Sequence, residues 1–257
     1  MDNPEPTAAV TRPQTRAEVV EKLCAVVQEV RQGNLDELLA RVKARNIEHF
    51  VHFTRASNLP SILEHGLIPW LHPKAKSLPI PIQGTDFQRR DGLYEASCLS
   101  VTTPNSSMFD SKRKWESSGW AVLGFHAEAV IRKPTLFLQE NAAKGMGIGL
   151  GERNFRNLAS VSAFDSMFIG EKAVRIPWNL APNQPTFIQS EVMVLDVIEP
   201  EALAFVALGE EMDIAQRQTL EASLPAGVST VPVESEHHRS LFRGRPDVQR
   251  LRDALSK

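Results

Sequence analysis

Cysteine is nearly absent from this chain: Cys24 and Cys98 are the only two in 257 residues. Two cysteines so far apart form neither a zinc-ligand pattern nor a disulfide framework, so a reducing compartment is expected. Long apolar runs are missing too, and nothing approaches the roughly 20 apolar residues that span a bilayer. An excess of one charge sign is also lacking. The 29 Lys and Arg against 31 Asp and Glu leave a net charge of -2. Such a chain has no long-range attraction for nucleic acid, so contact with a phosphate backbone requires a local basic face. The first residues, Met1 to Pro6, are acidic and proline-rich rather than basic and then apolar, unlike a signal peptide. These absences together lead to an expected cytoplasmic protein with no membrane partner.

Two apparent signals carry little. His237 and His238 are adjacent on an extended stretch and point apart, so no metal site is expected. Gly145, Gly147, Gly149 and Gly151 lack the Lys-Ser/Thr of a phosphate-binding loop and the strand that precedes a dinucleotide fingerprint, so they read as a flexible loop. What is present is ordinary globular composition, 42% hydrophobic and 23% charged. The length suits one large domain, or one domain with appendages.

Residues 1–14 read as a mobile leader. Thr15 and Glu18 have capping-box spacing, and Val19, Leu23, Val26, Val27 and Val30 follow at helical intervals. Gly33 is expected to stop that helix and Asn34 to cap a second, so residues 15–45 read as a helical hairpin. His49 to Thr54 alternates as a strand, with Phe50, His52 and Thr54 on one face and Val51 and Phe53 on the other. Asn58 or Ser57 caps a helix with Pro60 in its first turn and Gly66 past its end. Residues 69–86 read as loop. Further strands are expected at Ala96–Val101, Trp120–Phe125, Thr135–Leu138 and Leu203–Leu208, with helices around Ala163–Phe168, Glu210–Leu224 and beyond Pro246.

The stretch Pro185 to Asp196 reads as a strand that organises the rest. Ile188, Val192 and Val194 share an apolar face, and Gln189, Glu191 and Met193 share the other. An unpaired carboxylate is expensive to bury, so Glu191 reads either as a residue of a solvated outer face or as a candidate functional group.

Several pieces together resemble the DarT family of DNA ADP-ribosyltransferase toxins. Val51-His52-Phe53-Thr54 followed by Asn58 to Leu67 resembles the family's opening. Arg89-Arg90-Asp91-Gly92 resembles its Arg-x-Asp-Gly stretch. Ser100 through Pro104-Asn105 and Met108-Phe109 resembles its second motif, Asn141-Ala142-Ala143 its Asn-Ala-Ala turn, and Gln189 to Val194 the strand of the catalytic glutamate. The spelling is closer to the guanine-modifying branch than to the thymine-modifying one.

The resemblance implies an α+β fold, an ADP-ribosyltransferase-like split mixed sheet around an NAD cleft. Residues 46–209 would be that core, flanked by the hairpin and by a C-terminal α/β extension over 210–257. It also implies transfer of ADP-ribose from NAD, as co-substrate and without a metal, to a base in single-stranded DNA. A toxin of this kind implies a macrodomain antitoxin as partner. Glu191 would stabilise charge on the ribose and Gln189 would hold the incoming base. His52, Thr54, Ser100, Asn105 and Met108 would hold NAD. Arg89 or Arg90 would hold phosphate or a base edge; Arg90 stands where other members commonly have an apolar residue, so both remain open. Local basic and aromatic groups, Lys112, Arg113 and Lys114 together with Lys172, Arg175 and Trp178, are the expected nucleic-acid contacts. Transfer onto RNA or protein, or an inactive NAD-binding module, are the alternatives.

Overall fold

The computed structural model describes residues 15–79, 81, 82, 84, 90–114, 119–143 and 151–243. The expected leader, Arg89, Gly145, Gly147, Gly149 and the helix beyond Pro246 lie outside the described residues.

In chain order the elements are α1 (Arg16–Ala44), β1 (His49–Arg55), α2 (Leu59–His65), β2 (Ser97–Val101), α3 (Ser106–Arg113), β3 (Trp120–His126), α4 (Ala127–Ile131) and β4 (Thr135–Leu138). They continue with α5 (Glu152–Leu158), α6 (Val161–Ser166), β5 (Glu191–Val194), β6 (Leu203–Leu208), α7 (Ile214–Ala222), β7 (Ser229–Thr230) and α8 (Glu236–Arg243). The strands form one seven-stranded sheet in the order β4-β5-β2-β1-β3-β6-β7. Neighbours are antiparallel except β6 and β7, which are parallel, so the sheet is mixed.

The sheet is split near its centre. β1 pairs with β3 along its whole length, from His49 to Arg55. With β2 it pairs at only two positions, Phe50 with Val101 and Val51 with Ser100. Beyond Val51 the two strands part, and the backbone of each is left without the other as a ladder partner. The expected split, mostly antiparallel sheet is therefore found.

Both faces of the sheet are covered. Phe50, Leu99, Leu123, Phe125, Val192 and Val194 join one buried cluster with Leu38 and Val42 of α1. Leu136 and Met193 face a second cluster with Leu23 and Val27 of α1. Val51, Trp120 and Val122 face a third with Phe109 of α3 and Leu241 and Phe242 of α8. Gly124 lies opposite Phe205 in the β3–β6 ladder, and a Cβ there would meet the Phe205 ring, so the absent side chain lets the ring lie flat on the strand.

The expected helical hairpin is wrong. Residues 16–44 form one continuous helix, with Gly33 and Asn34 in its interior. The capping box is as expected: Glu18 N–H donates to Thr15 Oγ1 and Thr15 N–H to Glu18 Oε2. A glycine inside a helix costs only about 1 kcal/mol, which tertiary packing easily outweighs. Here the two halves of α1 bury side chains in two different clusters, so a straight rod satisfies both. Arg31 holds the middle. Its side chain is fully buried and donates to the carbonyls of Lys133 and Thr135 at the start of the edge strand β4.

The Pro185–Asp196 strand is also shorter than expected. Only Glu191 to Val194 is extended and paired. Ser190 N–H donates to the Phe187 carbonyl, closing a turn, and Thr186 bonds back to Met167 and Ile169. Phe187 and Ile188 are buried, but in a turn rather than a ladder. The expected loop at 69–86 contains a short 3₁₀ helix, Pro73–Ser77. No helix among the described residues is long and apolar enough to cross a membrane.

Candidate active site

A cleft of about 310 Å³ lies where β1 and β2 part. His52 and Thr54 reach it from β1, Ser100 from β2, and Glu191 from the first residue of β5. Asn105 and Met108 come from the start of α3, and Arg90 from the turn before β2. The structure thus brings into one place all of the cleft residues expected from sequence except Gln189 and the undescribed Arg89.

The positions follow from local structure. His52 Nδ1 lies 2.8 Å from the Cys98 carbonyl, spanning the gap between β1 and β2. A carbonyl only accepts, so Nδ1 carries the proton in that bond. Ser100 Oγ accepts from the Asn105 N–H at 3.2 Å. Asn105 Oδ1 in turn accepts from the Met108 N–H, capping α3. Ser100 and Asn105 therefore anchor α3 against the cleft.

Glu191 is only 6% exposed. A buried carboxylate needs donors, and both of its oxygens have one. Asn141 Nδ2 donates to Oε1 at 2.9 Å, and the Ala142 N–H donates to Oε2 at 3.0 Å. The turn itself is braced by the Ala143 N–H on Asn141 Oδ1 at 2.7 Å. The register explains the meeting: Leu138, the last residue of β4, pairs with Glu191, so the chain leaving β4 turns directly over the carboxylate. Glu191 shares its face with Met193, which belongs to a buried cluster, and is itself buried, so this is not a solvated outer face. The carboxylate enters the cleft because it stands at the strand's end.

Apolar groups also line the cleft, among them Ile62, Leu67, Ile68, Trp70 and Leu78. Gly66 shapes this wall. It ends α2 with φ +85°, and a Cβ would sit 2.4 Å from the Ile198 carbonyl that receives the Leu67 N–H. A cleft that combines apolar lining with a fixed carboxylate suits a ligand with an aromatic ring and a polar body.

No protein-family model matches the sequence, and no curated protein does. Among solved structures the chain is similar to Thermosipho africanus DarTG in complex with ADP-ribose, at 16% identity and a TM-score of 0.47. The match covers 72% of this chain and 50% of that one, so the chain spans about half the length of the Thermosipho protein. It is also similar to Thermus sp. 2.9 DarT in complex with carba-NAD+, at 11% identity and a TM-score of 0.45, over 72% of this chain and 96% of that one. The Thermus sp. 2.9 DarT complex with ADP-ribosylated ssDNA matches at 13% identity and a TM-score of 0.43, over 72% and 95%. At such scores the site stands on its own geometry.

Several expected contacts are placed elsewhere. Gln189 lies in the turn before β5, not one pleat from Glu191, and does not line the cleft. Arg175 is buried rather than presented to a partner. Its guanidinium donates to the carbonyls of Gln184 and Ala181 and pairs with Glu171, so it ties together the loop before β5. Arg113 is likewise committed, to Asp110 and to the Phe242 carbonyl at the end of α8. Lys114 and Lys172 are exposed, while Lys112 and Trp178 are half-buried. His238 is fully buried, with Nε2 on the Leu208 carbonyl. Among the described residues no cluster of His, Cys, Asp or Glu could hold a metal ion.

Three cleft residues have no part in the site as read from sequence. Asn141 was visible only as part of an Asn-Ala-Ala spelling. Asp91, buried in the cleft wall, accepts from the Leu93 N–H and was visible only beside its arginine neighbours. Asn58 reads as a helix cap, yet its side chain makes no cap bond.

Proposed function

We propose that this chain is an NAD-dependent ADP-ribosyltransferase that modifies a nucleobase, guanine, in single-stranded DNA. The observation that carries the reading is the Glu191 carboxylate, fixed by two N–H donors in a cleft that also holds His52 and Thr54. Breaking the bond between nicotinamide and ribose builds positive charge on the ribose. A preorganised carboxylate stabilises that charge where it forms, with no reorganisation at the moment of reaction. Asn141 and Ala142 hold it in place. His52 and Thr54 bind the dinucleotide, and the apolar lining that includes Trp70 takes one of its flat rings. Arg90, and Arg89 beside it in sequence, hold phosphate or the edge of the acceptor base.

A base within a duplex cannot reach such a cleft, which favours single strands or flipped nucleotides. Lys114 and Lys172 supply the exposed positive charge for the strand, with Lys112 and Trp178 beside them. In the cell the protein acts as a toxin in the cytoplasm, within a toxin–antitoxin or phage-defence system, and a macrodomain antitoxin reverses it. Of the alternatives, RNA or protein as acceptor, transfer onto protein is favoured by one observation: Arg113 and Arg175 are engaged internally, which thins the basic surface that any nucleic acid needs. Incubation with labelled NAD and, in parallel, single-stranded DNA, RNA or lysate protein separates the two. Label on DNA alone is the expected result, and label on RNA or protein with none on DNA rejects it.

Asn141 provides a finer check. Asn141→Ala removes one donor from the buried carboxylate, and a hydrogen bond to a charged group is worth about 1.5–3 kcal/mol. Turnover, followed as nicotinamide release, is expected to fall about tenfold or more with little change in the affinity for NAD. Wild-type turnover would show that Glu191 does not depend on this turn.

A further inference from the structure

We infer that Asn58 is a positioning residue: it fixes the Thr54 hydroxyl as a hydrogen-bond donor into the cleft, and so selects a ligand atom that accepts. The inference rests on the NAD reading above and names a determinant within it. Asn58 stands at the helix-cap position before α2, but its Nδ2 donates instead to Thr54 Oγ1 at 2.9 Å. A hydroxyl has one proton to give and two lone pairs to offer. The amide occupies a lone pair, so the proton of Thr54 must go elsewhere. Among the described residues no group accepts it. Thr54 is 3% exposed and lines the cleft. A buried donor with no acceptor is unfavourable unless a ligand supplies one. The matching group on NAD is an acceptor, an oxygen of the ribose, the carboxamide or a phosphate, or a ring nitrogen of the adenine. A ligand presenting only N–H groups at this point is disfavoured, because two donors would then face each other.

The choice of Asn is what makes the device testable. In Asn58→Asp the ionised carboxylate only accepts, so the Thr54 proton would turn toward it and the cleft would lose its donor. Once the carboxyl is protonated, its own O–H donates to Thr54 and the donor into the cleft returns. A residue with a purely structural role gives no such pH signature. A negative charge near NAD does give one by simple repulsion, so the control is the same substitution in Thr54→Val, where there is no hydroxyl to orient.

The measurement is the Kd of NAD for the full chain, without acceptor, from about pH 8 down to about pH 4, a range that crosses the reference carboxyl pKa and its upward shift on burial. Thermal unfolding confirms that each variant is folded, and each Kd is taken relative to wild type at the same pH. At about pH 8, Asn58→Asp is expected to bind about tenfold more weakly, and Asn58→Ala about threefold more weakly at every pH. The Asn58→Asp deficit should close as the pH falls. Adding Asn58→Asp to Thr54→Val should change the affinity less than about twofold. A deficit flat with pH, or one equally large in the Thr54→Val background, overturns the inference while leaving the NAD reading intact. Failure of the wild-type chain to bind NAD at any pH overturns both.

Discussion

Glu191→Gln is expected to lower turnover by about 10²–10³-fold, the usual cost of removing one preorganised electrostatic partner of a transition state. The loss should fall on turnover rather than on NAD affinity, because the carboxylate matters most when charge develops on the ribose. Gln has almost the same size and the pocket keeps its shape, but the substitution is not silent in the ground state. Both oxygens of Glu191 accept an N–H. A glutamine has one acceptor oxygen, so its amide would face either Asn141 or Ala142, donor against donor. A stability loss of about 1–3 kcal/mol is expected from that mismatch. Nicotinamide release and the Kd of NAD, measured on the same preparation, separate the two effects. Turnover within about threefold of wild type would remove Glu191 from the chemistry.

Arg31→Ala is expected to be the most damaging single change to the fold. The side chain is 1% exposed, and its guanidinium satisfies carbonyls at the start of β4, the edge strand on which the Glu191 turn depends. Truncation leaves a large cavity and unpaired carbonyls, so a loss of about 3–5 kcal/mol is expected. Burial pushes the Arg31 guanidinium below its ordinary value, to about 10, so it is charged across the neutral range. The sign follows. Below about pH 10 the folded and unfolded chains both hold this proton, and only above that does the unfolded chain bind more. The deficit of Arg31→Ala should therefore be flat from about pH 6 to about pH 9, as read by urea unfolding. A deficit below about 1 kcal/mol would mean that α1 needs no pin at its centre.

The parts of the fold that could be read from sequence are those where one local pattern fixes one local structure. His49–Thr54 alternates, and Trp120–Phe125 and Leu203–Leu208 are apolar runs of strand length; all three are strands. The misreadings arise where tertiary contacts override a local signal. Gly33-Asn34 has the spelling of a helix stop and a cap, yet α1 runs through it because its two halves bury into different clusters. Phe187 and Ile188 are apolar and buried as strand residues would be, but apolar content reports burial, not backbone extension. Arg175 reads as surface charge because arginine usually is, and nothing in its neighbourhood of sequence reveals that three internal acceptors surround it.

The candidate site divides in the same way. His52, Thr54 and Glu191 were legible as chemistry-bearing side chains on strands and Ser100 through the motif resemblance, and the four share one cleft. Their partners were not. The bond from Asn141 to Glu191 spans 50 residues and exists because Leu138 pairs with Glu191 in the sheet. The bond from Asn58 to Thr54 is short in sequence, but it competes with helix capping, the commoner use of an Asn at that position.

Mass spectrometry of nucleosides tests whether the proposed transfer of ADP-ribose to a base of single-stranded DNA takes place. Single-stranded DNA is incubated with the full chain and NAD, digested to nucleosides and compared with a Glu191→Gln incubation. The expected result is a deoxyguanosine bearing one ADP-ribosyl group, abundant with the wild-type chain and lower by about 10²-fold with the variant. Unmodified nucleosides in a reaction that nonetheless consumes NAD, or adducts equally abundant with both proteins, would contradict it.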